Sequence, residues 1–137
     1  MKEPSDKRKR TLALQDRALR FTNAVNISCP QCFSNKPSAT AWGQLVRAAD
    51  GASNNLIEAD GASSDADFLS KMSIALREAK ESRAELAKIR MGSLDNYKVT
   101  EQQQLESEAS QLAAIFATII LNMRGRLDRD KRRRTGN

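Results

Sequence analysis

The residues best suited to chemistry in this chain are two thiols, set in Cys29-Pro-Gln-Cys32. Such a pair can grip a metal ion or cycle through a disulfide. Zinc wants four ligands drawn from Cys and His, and the chain has no His and no second Cys pair. One subunit therefore cannot close such a site, which leaves only a site shared between subunits. A redox pair belongs beside a βαβ pattern, and no strand pattern of useful length is present. The pair reads as incidental. Glu78, Glu81 and Glu85 come next, carboxylates at helical spacing. Arg77, Lys80, Arg83 and Lys88 interleave with them, which describes a salt-bridged outer face rather than an acid and a base. Gly51 and Gly61 lie on separate features and make no phosphate loop. With no imidazole, no nucleophile beside a base and no cofactor motif, the expectation is a protein that is not an enzyme.

Two other sets stand out. Asn55 and Glu58 are three residues apart and share a helix face beside Leu56 and Ile57. Polar groups next to a core need partners, and Arg47 and Glu81 are candidates for one network that would fix helix register. The second set is cationic. The chain of 137 residues carries a net charge of +6. Residues 1–10 hold Lys2, Lys7, Arg8, Lys9 and Arg10 against two acids; residues 124–137 hold Arg124, Arg126, Arg129, Lys131, Arg132, Arg133 and Arg134 against two. The ends are thus strongly basic while the body is slightly acidic. Ends of this kind suit a phosphate backbone, RNA or DNA, or else are solvated tails. Lys7, Arg8, Lys9, Arg10 and the seven C-terminal cations are the candidate nucleic-acid-binding residues. No aromatics interleave with them, so the contacts expected are to phosphates and not to bases.

These residues must be carried by helices. Apolar steps of three and four run through Trp42, Leu45, Val46, Ala49, Ala52, Leu56 and Ile57, and again through Phe68, Leu69, Met72, Ala75, Leu76, Ala79, Leu86 and Ile89. The short joint Ala59–Ser64 makes these two an antiparallel hairpin. A first helix over about Thr11–Asn26 has a ragged apolar side of Leu12, Leu14, Ala18, Leu19, Phe21, Val25 and Ile27. Thr100 opens a fourth, with the strongest stripe: Leu105, Leu112, Ile115, Phe116, Ile119, Ile120 and Met123, wide enough for a neighbour in the subunit or across an interface. Caps are expected at Ser38, Ser64, Gly92 and Thr100, a kink at Gly51, and packing of Leu94 and Tyr97 against the bundle end. The fold class is all-α, an antiparallel up-down-up-down four-helix bundle: residues 1–10 a basic arm, 11–123 the bundle, 124–137 a basic tail. At 39% hydrophobic and 4% aromatic the core is lean, which leaves room for stabilisation by self-association. Ala109–Met123 is too short and polar to span a membrane. With two cysteines and no export signal, the chain is placed in the cytoplasm.

The stretch from Gln44 to Leu86 resembles the S23, or 23S rRNA intervening-sequence, proteins of bacteria. Gln44, Leu45, Arg47, Ala48, Ala49, Asn55 and Glu58 match the first part of that family's central pattern. Ser64, Phe68, Met72, Ile74, Ala75 and Glu81 match the second, with Asp67 in place of Glu. Gly51, Ser53 and Ala59 depart from it, standing for Ser, Pro and Gly. The resemblance implies a four-helix bundle assembled as a homopentamer, with no established enzymatic activity. It extends to the accessory variability determinant of diversity-generating retroelements, a basic pentamer that binds nucleic acid and a reverse transcriptase. It therefore implies a nucleic-acid accessory factor or, alternatively, a scaffold that docks on a reverse transcriptase.

Overall fold

The fold is that of a computed structural model, which describes residues 2–31, 37–92 and 98–136. Helix α1 spans Asp6–Ser28, α2 Ala39–Asp60, α3 Asp65–Gly92 and α4 Val99–Arg134. No strand occurs among the described residues. Helix α2 packs between α1 and α3, and α4 closes the ring between α3 and α1. Ion pairs fix the directions. Arg8 at the start of α1 meets Asp60 at the end of α2, Glu58 meets Lys71 early in α3, and Arg90 at the end of α3 meets Glu106 early in α4. The chain therefore runs up, down, up, down, as the short joints require.

The helix starts and stops differ from expectation, and local capping explains most of the difference. Helix α1 begins five residues early because Ser5 accepts the Arg8 amide at 3.1 Å and Asp6 sits at the positive end of the helix dipole. Lys7–Arg10 are thus helical, not a frayed arm. Helix α4 starts at Val99, one residue before Thr100, with Lys98 as its cap at a φ of 47°. Gly92 is the last residue of α3 rather than a residue beyond it. Ser38 holds the cap position of α2 but makes no side-chain cap bond. Ser64 does cap α3: it accepts the Asp67 amide at 3.0 Å, while the Asp67 carboxylate accepts the Ser63 amide at 3.1 Å. The C-terminal cations lie on α4 itself, which is unbroken to Arg134. Arg and Lys favour helix, Asp128→Arg132 and Asp130→Arg134 have the favourable i,i+4 order, and the last-turn cations complement the dipole. Leu94 and Tyr97 lie outside the described residues.

The core is rich in small residues. Helix α2 buries Trp42, Leu45, Ala48, Ala49, Ala52, Ser53, Leu56 and Ala59, and α3 answers with Met72, Ala75, Ala79, Ser82, Leu86 and Ile89. Small side chains let helix axes approach. At Gly51 the approach is so close that an added Cβ would lie 2.9 Å from Glu78 Cγ. That contact, and not a kink, accounts for the glycine, since α2 runs continuously across it. Helix α4 buries Leu105, Leu112, Phe116 and Ile120, and Ile115 and Ile119 pack partly buried against the same core. Its wide stripe therefore serves α3 and α1 within the subunit. Helix α1 divides the apolar residues assigned to one side. Ala18, Phe21 and Val25 are buried with Leu14 packed against them, while Leu12, Leu19 and Ile27 face outward at 41%, 47% and 68% exposure.

The buried polar contacts sit where no sequence pattern had placed them. The Thr22 hydroxyl of α1 donates to the Ala49 carbonyl of α2 at 2.9 Å and lies 2.9 Å from Ser53 Oγ. Ser53 thus supplies α2 with a hydroxyl that ties it to α1. No helix of the described residues is long and apolar enough to cross a membrane.

The Gly51 contact predicts a sign change between backgrounds. Gly51→Ala alone should fail to stabilise, because the methyl group collides with Glu78. In a Glu78→Ala background the same substitution should stabilise by about 1 kcal/mol, the helix-propensity difference. Urea denaturation of the four proteins in a double-mutant cycle measures this coupling.

Candidate nucleic-acid interface

The cations of the two chain ends lie more than a hundred residues apart in sequence. The antiparallel ring brings them to one pole, where α1 starts, α2 ends, α3 starts and the last turns of α4 run out. Two contacts fix that arrangement. Arg8 donates both ways to Asp60, at 2.7 and 2.6 Å, and Gln15 adds a bond to the same carboxylate at 3.2 Å. Arg126 lies 3.8 Å from Asp65. Helix α4 then continues two more turns, and every residue from Lys131 to Gly136 is exposed.

The candidate cations fall into two groups. Arg8 is engaged with Asp60, Lys9 lies 3.5 Å from Glu3, and Arg126 shares its guanidinium between Asp65 and the Met123 sulfur at 3.0 Å. Lys7, Arg10, Arg124, Arg129, Lys131, Arg132, Arg133 and Arg134 form no ion pair among the described residues. On a helix the seven C-terminal cations are spread around the axis and not confined to one side. The end of α4 is a charged rod, able to present cations in several directions at once.

Between the helix ends at this pole lies a cavity of about 540 Å³. Leu14, Leu56, Phe68, Met72, Ile119 and Met123 supply its apolar surface. Lys7, Gln15, Asp60, Asn122, Arg126 and Arg129 supply its polar surface. Sequence pattern alone gave no hint of it, because its residues come from all four helices. Phe68 is the one aromatic among its lining residues.

The proposed network of Arg47, Asn55, Glu58 and Glu81 is not assembled. Arg47 donates to Gln44 at 3.1 Å, Asn55 donates to the Gly51 carbonyl at 2.8 Å, and Glu58 pairs with Lys71 at 3.1 Å. Glu81 acts on Glu78. Burial first, and then the neighbouring Glu81, hold the Glu78 carboxyl above its ordinary range. Each residue is served from within its own turn or by a different neighbour, so register falls instead to Thr22 and Ser53. Cys29 is half-buried and burial pushes its thiol up, which makes it a poor nucleophile. Cys32 lies outside the described residues.

A family model described as 23S rRNA-intervening sequence protein matches residues 10–118. The chain belongs to this family. A solved protein of unknown function from the S23 ribosomal protein family, from Bacteroides thetaiotaomicron VPI-5482, has the same fold with a TM-score of 0.65. It is 23% identical and covers 78% of this chain and 97% of its own. No protein with a curated description matches. The family match ends at residue 118, before Arg124, and starts at residue 10, after Lys9. Membership in the intervening-sequence protein family thus accounts for the bundle. The cationic pole rests on residues that lie largely beyond the matched stretch.

The Arg8–Asp60 pair carries a pH signature. Hydrogen bonding from Arg8 holds the Asp60 carboxyl below its ordinary range. A depressed carboxyl stabilises the fold above its unfolded pKa and loses that contribution as pH falls through the folded value. Arg8→Gln should therefore lower stability near neutral pH by about 0.5 kcal/mol, a small effect because the pair is partly exposed and screened. The difference should vanish in strong acid, and calorimetry across pH reads it directly.

Proposed function

We propose that this protein is a non-enzymatic, homo-oligomeric nucleic-acid-binding bundle that acts as an accessory factor in the cytoplasm. The observation that carries the proposal is the convergence of both basic ends on one pole, with eight of the candidate cations free of ion pairs among the described residues. Cations grouped on a rigid body release counterions together when they meet a phosphate backbone. The family description names a ribosomal RNA intervening sequence, which makes RNA the first polyanion to try, with DNA as its comparison. Phosphate contacts of this kind position a strand without reading its sequence.

Oligomerisation would multiply the effect. Leu12, Leu19 and Ile27 form an outward stripe on α1, seven and eight residues apart and opposite its buried face. A second copy of this chain covering that stripe would bury apolar surface that a monomer leaves wet. A pentamer would then set five cationic poles in one particle, and weak arms joined in this way act at high effective concentration. The alternative, docking on a reverse transcriptase through the Ile115–Ile120 face, loses its motivating feature, since Phe116 and Ile120 are buried and their neighbours pack on the core.

Two measurements test the proposal. In a filter-binding titration, Gln at positions 129 and 131–134 should weaken RNA binding and reduce the slope of log affinity against log salt by about two to four. An unchanged slope would remove α4 as the binding element. In light scattering, the wild type should run as an oligomer, five subunits being the number expected, and Leu12→Ser with Leu19→Ser should shift it toward the monomer. A wild-type monomer at micromolar concentration would overturn the assembly.

A further inference from the structure

Phosphate binding makes no use of the cavity at the cationic pole, because phosphates need only the cations around it. We propose that this cavity receives one unpaired nucleobase of the bound strand while Lys7 and Arg129 hold the phosphates beside it. This rests on the nucleic-acid reading above and adds a preference to it: a strand offering an extruded base should bind better than an uninterrupted duplex.

Three features favour a base as the occupant. The volume of about 540 Å³ lies in the range of small-ligand sites. The lining combines apolar side chains, including the half-buried ring of Phe68, with amides that have bonding capacity to spare. Asn122 makes no hydrogen bond among the described residues, so both its donor and its acceptor are available for a base edge. Gln15 spends its amide N–H on Asp60 and keeps its oxygen. A hydrocarbon ligand would leave these groups buried without partners, which is costly. A base satisfies them while presenting a flat face to Phe68, the usual means by which single-stranded nucleic acid is held. The charge pattern agrees. Lys7 and Arg129 have no carboxylate partner among the described residues, and the one acid at the cavity, Asp60, is balanced by Arg8, whose Nη1 reaches both of its oxygens.

The test uses two hairpin RNAs that differ only by a single bulged 2-aminopurine, and the same pair made in DNA. The bulged strand should bind about tenfold tighter in at least one sugar series, the lower part of what a stacked base contributes, with its fluorescence quenched on binding. Asn122→Ala, an exposed substitution with little risk to the fold, should remove part of the preference. Phe68→Leu combined with it should remove the rest, leaving affinity for the paired hairpin and its salt slope within about twofold of wild type. Equal affinity for bulged and paired strands, with unchanged fluorescence and an intact salt slope, would overturn the cavity assignment alone. Failure of all four strands to bind in a salt-dependent way would overturn the phosphate reading, and this inference with it.

Discussion

The close approach of α2 and α3 is the constraint on which the rest of the bundle is built. A chain with 4% aromatic residues cannot fill wide gaps between helices with rings. It brings the helices together instead, burying Ala48, Ala49 and Ala52 on α2 and Ala75 and Ala79 on α3, and laying Glu78 across Gly51. The cost falls on Glu78, whose carboxylate is desolvated and crowded by Glu81. Small residues bury little area each, so stability must accumulate along length. That is why α3 runs for 28 residues and why the few large side chains, Trp42, Phe116, Leu45, Met72 and Leu86, are buried almost completely.

Once α2 and α3 are fixed, the ends of the chain have no freedom to separate. Helix α1 is tied to α2 by Thr22 at mid-height and by Arg8–Asp60 at the pole. Helix α4 is tied to α3 by Arg90–Glu106 at one end and reaches Asp65 with Arg126 at the other. Arg17 joins α1 to α4 through Glu108, at 2.9 and 2.6 Å. Like charges are thereby held together against their mutual repulsion. The helical continuation of α4 relieves part of this by carrying Lys131–Arg134 outward at about 1.5 Å per residue. Gathering cations in this way costs repulsion, which the proposed phosphate contacts would relieve.

How much of this was legible in the sequence follows from what each feature depends on. The four helices and their order rest on a 3.6-residue period and on short joints, both local, and both were readable. Helix ends depend on single caps, and Ser5 with Asp6 went unread because the surrounding charges looked like a disordered arm. The two sides of α1 could not be told apart, since Leu12, Leu19 and Ile27 have the same chemistry as Phe21 and Val25; only the position of α2 decides which is inside. Gly51 reads as a kink because the residue that crowds it, Glu78, lies 27 residues away in sequence. The candidate network is absent for a related reason: a shared helix face does not imply shared contact, and Asn55 and Arg47 find their partners within one turn. The cationic residues were found by composition, but their convergence, and the cavity between them, exist only in three dimensions.

The cavity follows from the same geometry that creates the pole. Helix α4 is longer than its neighbours, and near Ile119 and Met123 its inner face lines the cavity. Leu14, Leu56, Phe68 and Met72 line it from the other helices. The residues that follow on α4, Asn122, Arg126 and Arg129, are polar, so the space cannot close by apolar collapse without burying charge. Filling it with a larger apolar residue would stabilise a protein that needed only a core. Here the apolar layer ends where the cations begin, which leaves a recess lined by both and bounded by a rigid ring of helices. An occupant with a flat apolar face and a polar edge, carried on a charged backbone, is the kind that satisfies both of its halves.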